Sequence, residues 1–139
     1  MLMSKFQKII LGFSGFIAFV IGSFITLAPL AFYAGYGVTL DSDPNLLSEL
    51  RAPGANLAVL GVLVMAGLFV RSLEKISIAI ALVIFLAFPV GRVIGIVADG
   101  MPSTSVLSAL AVEIVVGALL LITFGKPSNT SRLAKSARV

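Results

Sequence analysis

Four nearly uncharged stretches, each close to the ~20 residues an α-helix needs to cross a bilayer, decide most of what this chain can fold into. They fall at roughly residues 9–31, 52–70, 76–98 and 105–125. In hydrocarbon every backbone N–H and C=O must find its partner within the protein, so runs of this kind become helices. Composition agrees: 59% of the 139 residues are hydrophobic and 12% charged, against about 45–50% and about 25% in soluble domains. The expected fold is therefore an all-α membrane protein, a four-transmembrane-helix bundle with a short extra helix in the first outer loop. One such domain occupies residues 1–125, and the polar, basic tail 126–139 holds too little apolar area to order itself.

The first run follows Lys5 and Lys8. It far exceeds the 7–15 residues of a secretory signal core, which makes it a retained helix. Lysine and arginine then set the orientation. Lys5 and Lys8 precede the first span, Arg71 and Lys75 separate the second from the third, and Lys126, Arg132, Lys135 and Arg138 follow the fourth. Only Arg51 lies in the opposite loops, with Arg92 inside a span. Both termini are expected in the cytoplasm, with residues 32–51 and 99–104 facing outward.

In the first outer loop, DSDPNLLSELR offers Asp43 as a helix N-cap and Pro44 at the first helical position. Leu46, Leu47 and Leu50 fall at helical spacing, so the extra helix is expected here, with Pro53 and Gly54 bending the chain into the second span. Pro29 and Pro89 stand late in the two outward-running helices, where bends would widen the outer mouth.

Charges inside the spans need a reason. One at bilayer depth costs about 2.5–3.5 kcal/mol on insertion scales, which drives it toward the bundle interior and a partner. Arg92 lies roughly 9 Å below the outer end of the third helix and Glu113 roughly 12 Å below the start of the fourth, at 1.5 Å per residue. Antiparallel neighbours joined by a short turn would pair them. Glu49, Arg51, Asn56 and Asp99 collect at the same end, so the expected polar cluster is Glu49, Arg51, Asn56, Arg92, Asp99 and Glu113. Small-residue stripes suit close helix contact: Gly15, Ala18 and Gly22; Gly54, Ala58 and Gly61; Gly91 and Gly95; Ala109 and Gly117.

Taken together, SELR before a glycine-rich second helix, then GRxxGxxxDGxPS over residues 91–103, then a lone Glu113 in the fourth helix resemble the small bacterial membrane proteins grouped as domain of unknown function 4345. The resemblance rests on Glu49, Arg51, Arg92, Asp99, Gly100, Pro102 and Glu113 and spans most of residues 8–125. It implies a four-helix integral membrane fold in bacteria and brings no activity with it; the expected location is the bacterial cytoplasmic membrane.

The chain has no histidine and no cysteine, which excludes disulfides, thiolate or imidazole metal sites and haem ligation by either residue. It has no P-loop. Acid–base chemistry by Glu113 is the remaining catalytic route, and an arginine neighbour favours the charged form of a carboxylate over a proton donor. The leading expectation is a non-catalytic binding or accessory component without cofactor or metal. Its outer polar pocket would take an amphipathic small molecule or lipid head group, or dock another membrane subunit or a second copy in a homo-oligomer, with membrane lipids around it and no nucleic acid. Arg92 and Arg51 would hold an anionic group, oriented by Glu113 and Asp99. One alternative is a small proton-coupled exporter of the four-helix multidrug type, although the essential glutamate of that class lies on the first helix, which here has none. The other is a purely structural subunit, with Arg92 and Glu113 as an interhelical clasp.

Overall fold

The computed structural model describes residues 3–125, and its regular elements there are all helical. They are α1 (Lys5–Leu27), α2 (Pro29–Ala34), α3 (Pro44–Ala66), a 3-10 turn at Arg71–Leu73, α4 (Glu74–Asp99) and α5 (Thr104–Phe124). The spans that contain α1, α3, α4 and α5 are long and apolar enough to cross a membrane. The expectation for the tail 126–139 lies outside the described residues.

Local chemistry sets the boundaries. Helix α1 begins at Lys5, ahead of the apolar run, because Ser4 and Gln7 form a capping box: Ser4 Oγ accepts the Gln7 N–H (3.2 Å) and Gln7 Oε1 accepts the Ser4 N–H (2.8 Å). It ends at Leu27 because Pro29 cannot continue the backbone ladder and disfavours helical geometry in the residue before it. Ala28 accordingly leaves the helix (φ −139°, ψ 60°), and the chain restarts with Pro29 in the first turn of α2.

The short extra helix of the first outer loop is thus α2, and the segment after Asp43 has a different fate. Asp43 does cap, its Oδ1 accepting the N–H groups of Asn45 (2.6 Å) and Leu46 (3.4 Å). The helix it starts runs through Pro53 to Ala66 and is the second span itself. Pro53 withholds one hydrogen bond, from the Glu49 carbonyl, at an exposed turn where water can replace it. Two turns of helix would also be marginal alone, and continuity with α3 supports them.

The four long helices form an up-and-down ring in which α1 packs on α3, α3 on α4, α4 on α5, and α5 closes back on α1. The α1–α3 contact is the most extensive. It is a backbone-to-backbone approach: a Cβ added at Gly22 would lie 2.6 Å from Gly54 O, and one at Gly61 2.7 Å from Gly15 O. Without a hydrophobic driving force between helices in lipid, this close van der Waals packing is what binds the pair.

The buried side chains gather toward one end, that of the start of α1, the end of α5 and the α3–α4 turn. Leu11, Val64, Ala81, Phe85, Val116 and Leu120 mark this core, and Ser77 Oγ donates to Leu63 O (2.7 Å) within it. Toward the other end the packing of α4 and α5 stops. Helix α4 has no buried residue after Pro89, and α5 has none before Val116.

Candidate functional site

Where the core ends, a cavity of about 1200 Å³ begins. This exceeds the roughly 300–1,000 Å³ of ordinary small-molecule sites. Its wall is built from Ile21 and Phe24 of α1, Phe32 of α2, Phe88 of α4, and Val106 and Val112 of α5, with Leu57 of α3 toward the core. The α2 segment is held against the cavity through two attachments. Phe32 packs edge-on against Phe24 (ring centroids 5.5 Å apart), and Ser103 Oγ donates to Tyr36 O (2.9 Å), tying the α4–α5 turn to the chain just after α2.

Arg92 and Glu113 both line this cavity. Their meeting follows from the short α4–α5 connection, capped by Ser103 Oγ on the Val106 N–H, which places the two residues at similar depth on antiparallel helices. The contact is bidentate: Arg92 Nε donates to Glu113 Oε2 (2.8 Å) and Oε1 (3.1 Å), and Nη2 donates to Oε1 (2.9 Å). The side chains are 27% and 14% exposed, so the pair is largely shielded yet reachable from the cavity. Among the described residues it is the one ion pair, and the cavity wall carries no other charge. A guanidinium has five N–H donors. Both hydrogens on Nη1 and one on Nη2 have no hydrogen-bond partner among the described residues.

The remaining residues of the expected cluster sit elsewhere. Arg51 points away from the cavity: its Nη1 donates to Thr26 O and, more weakly, to Leu27 O (3.4 Å). These are carbonyls in the last turn of α1, left without helical partners where Pro29 ends it, and a cation suits them because the helix dipole is negative there. Glu49, Asn56 and Asp99 are exposed and do not line the cavity. The structure therefore brings Arg92 and Glu113 together and leaves Glu49, Arg51, Asn56 and Asp99 apart from them. The aromatic part of the wall, Phe24, Phe32, Tyr33 and Tyr36, was not singled out from sequence. The recurring aromatic residues around Pro29 were its available signal.

The glycine stripes divide in the same manner. Those of α1 and α3 make contact, and Gly117 of α5 meets α4, its hypothetical Cβ 2.8 Å from Phe85 O. Gly91 and Gly95 do not pack as expected: a Cβ on either would meet nothing within 4 Å. They lie beyond Pro89, where α4 has left the core, and Gly91 borders the cavity.

A four-helix bundle of membrane-crossing length, with a wide apolar cavity interrupted by one ion pair, defines the class of protein. Within that class the chain belongs to the family described as domain of unknown function DUF4345, whose model matches residues 6–124. No curated protein and no solved structure matches it.

Proposed function

We propose that this protein is a non-catalytic integral membrane component that holds an amphipathic molecule, apolar body in the cavity and polar end at Arg92–Glu113. The observation that carries this reading is the pairing of a large, mostly apolar volume with a single charged spot whose guanidinium still has N–H groups to offer. The arginine and lysine distribution favours both termini in the cytoplasm. The cavity then opens in the extracytoplasmic leaflet of the bacterial cytoplasmic membrane, and the ion pair lies within the membrane. A proton-coupled exporter needs a carboxylate free to exchange protons, whereas both Glu113 oxygens are engaged by Arg92.

The pair also clasps α4 to α5 where neither buries a side chain. The two roles separate by mutation. Gly91 borders the cavity and a Cβ there would meet no atom within 4 Å, so Gly91→Leu adds bulk at the cavity wall where the backbone has room for it. The protein should fold normally and lose co-purifying lipid, as read by mass spectrometry of mildly solubilised material. Wild-type lipid content in that variant would refute the binding reading. For the clasp, Arg92→Leu or Glu113→Leu alone should destabilise by about 3 kcal/mol, and the double replacement should recover most of the loss.

A further inference from the structure

We infer that the cavity selects an uncharged lipid whose polar end carries carbonyl oxygens, and discriminates against anionic and zwitterionic phospholipids. The inference rests on the binding reading above and adds the chemistry of the occupant. The argument is charge balance. Among the described residues the wall carries one positive and one negative group, and they neutralise each other at 2.8 Å. The second arginine that would have tipped the balance, Arg51, is bound to the end of α1 and lines no part of this space.

A phosphate entering here would leave water to meet a guanidinium already matched by a carboxylate, with the like charge of Glu113 beside it. Desolvation of such a group is recovered only by an unmatched opposite charge and a full set of hydrogen bonds. A zwitterionic head group faces the same difficulty twice. A carbonyl oxygen has no charge to desolvate and needs only a donor. The free N–H groups on Nη1 and Nη2 of Arg92 are donors of that kind, strengthened because the group is ionised. The rest of the wall accommodates acyl or isoprenoid chains: Ile17, Ile21, Phe88 and Val112 present hydrocarbon, and Ser105 on α5 adds a hydroxyl near the mouth. Diacylglycerols and tailed quinones share the required chemistry, an uncharged apolar molecule with carbonyl oxygens at one end.

The test is competitive lipid retention by the full-length protein in mild detergent, read by native mass spectrometry. The probes are dioleoylglycerol, decylubiquinone, dioleoylphosphatidylglycerol and dioleoylphosphatidylethanolamine, three of which differ only in the head. Wild type should retain dioleoylglycerol or the quinone over both phospholipids by about tenfold or more, and whichever is held identifies the source of the carbonyl. Glu113→Gln keeps the shape and one acceptor oxygen while leaving Arg92 unneutralised, so its preference should move toward dioleoylphosphatidylglycerol. Gly91→Leu should abolish retention of whatever binds. If a phospholipid is retained as well as the uncharged probes, and Gly91→Leu removes it, the selectivity is refuted and the binding reading stands. An unchanged preference in folded Glu113→Gln refutes the charge-balance argument. If no probe is retained in a Gly91-dependent way, the binding reading itself fails and the selectivity falls with it. The wild-type comparison decides the matter even if Glu113→Gln does not fold.

Discussion

Pro89 and Gly117 show how one residue's defect becomes another's contact. Proline has no N–H, so Pro89 cannot donate to Phe85 O four residues back. That carbonyl is turned toward α5, and Gly117 lies against it so closely that a Cβ would stand 2.8 Å away. Backbone can yield little, so Gly117→Ala is expected to lower stability by about 1–3 kcal/mol through overpacking. Gly95→Ala should be neutral or mildly stabilising, since a Cβ there meets nothing and alanine is the better helix former by about 1 kcal/mol. Thermal unfolding in detergent checks both, and equal effects would overturn this account of the α4–α5 contact. Both glycines belong to small-residue stripes in sequence. What separates them is that α4 leaves the core after Pro89, a consequence of three-dimensional packing that no one-dimensional stripe encodes.

At the scale of elements, three prolines inside apolar segments meet two outcomes. Pro29 ends α1 and begins α2, while Pro53 and Pro89 are carried within α3 and α4. Their sequence surroundings do not distinguish them, but their neighbours do. The broken end of α1 has Arg51 to take up its carbonyls, through Thr26 O and Leu27 O, and Thr26 Oγ1 donates to Gly22 O (2.7 Å) beside them. Gly54, next to Pro53, is held against Ile25 and Thr26. Arg51→Ala should therefore cost about 1 kcal/mol, the usual scale for a cation at a helix C-terminus, and leave lipid retention unchanged. A loss of lipid without a loss of stability would return Arg51 to the binding site. Four helices, their order and the Arg92–Glu113 pair could be read from sequence, because run length and residue depth along a helix are local arithmetic. The Ser4–Gln7 capping box was not read from sequence, although an S-x-x-Q pattern stands ahead of the apolar run. The fate of Arg51 was not, because it depends on where a different helix ends.

Across the whole molecule, burial is uneven along the bundle axis. Side chains interlock from the start of α1 and the end of α5 as far as Pro89 and Val116, and beyond that level α4 and α5 are joined by one ion pair and one short turn. Local opening follows contact density, so amides of residues 93–99 and 104–112 should exchange faster than those of residues 77–85 and 116–121 in the same detergent. An occupant that touches Phe88, Arg92 and Val112 would bind the closed arrangement and not the splayed one, shifting the balance by mass action, about 2.7 kcal/mol at a ligand concentration 100 times its Kd. Adding dioleoylglycerol should then slow exchange in the outer halves of α4 and α5 and in α2, which lines the cavity, and leave the core segment of α4 as it was. The α1–α3 pair gives an internal reference, because its glycine contacts do not depend on the cavity being filled. Protection spread uniformly over all four helices would mean that the lipid acts as bulk solvent. Protection confined to the segments that lack buried side chains would mean that it supplies the packing this half of the bundle does without.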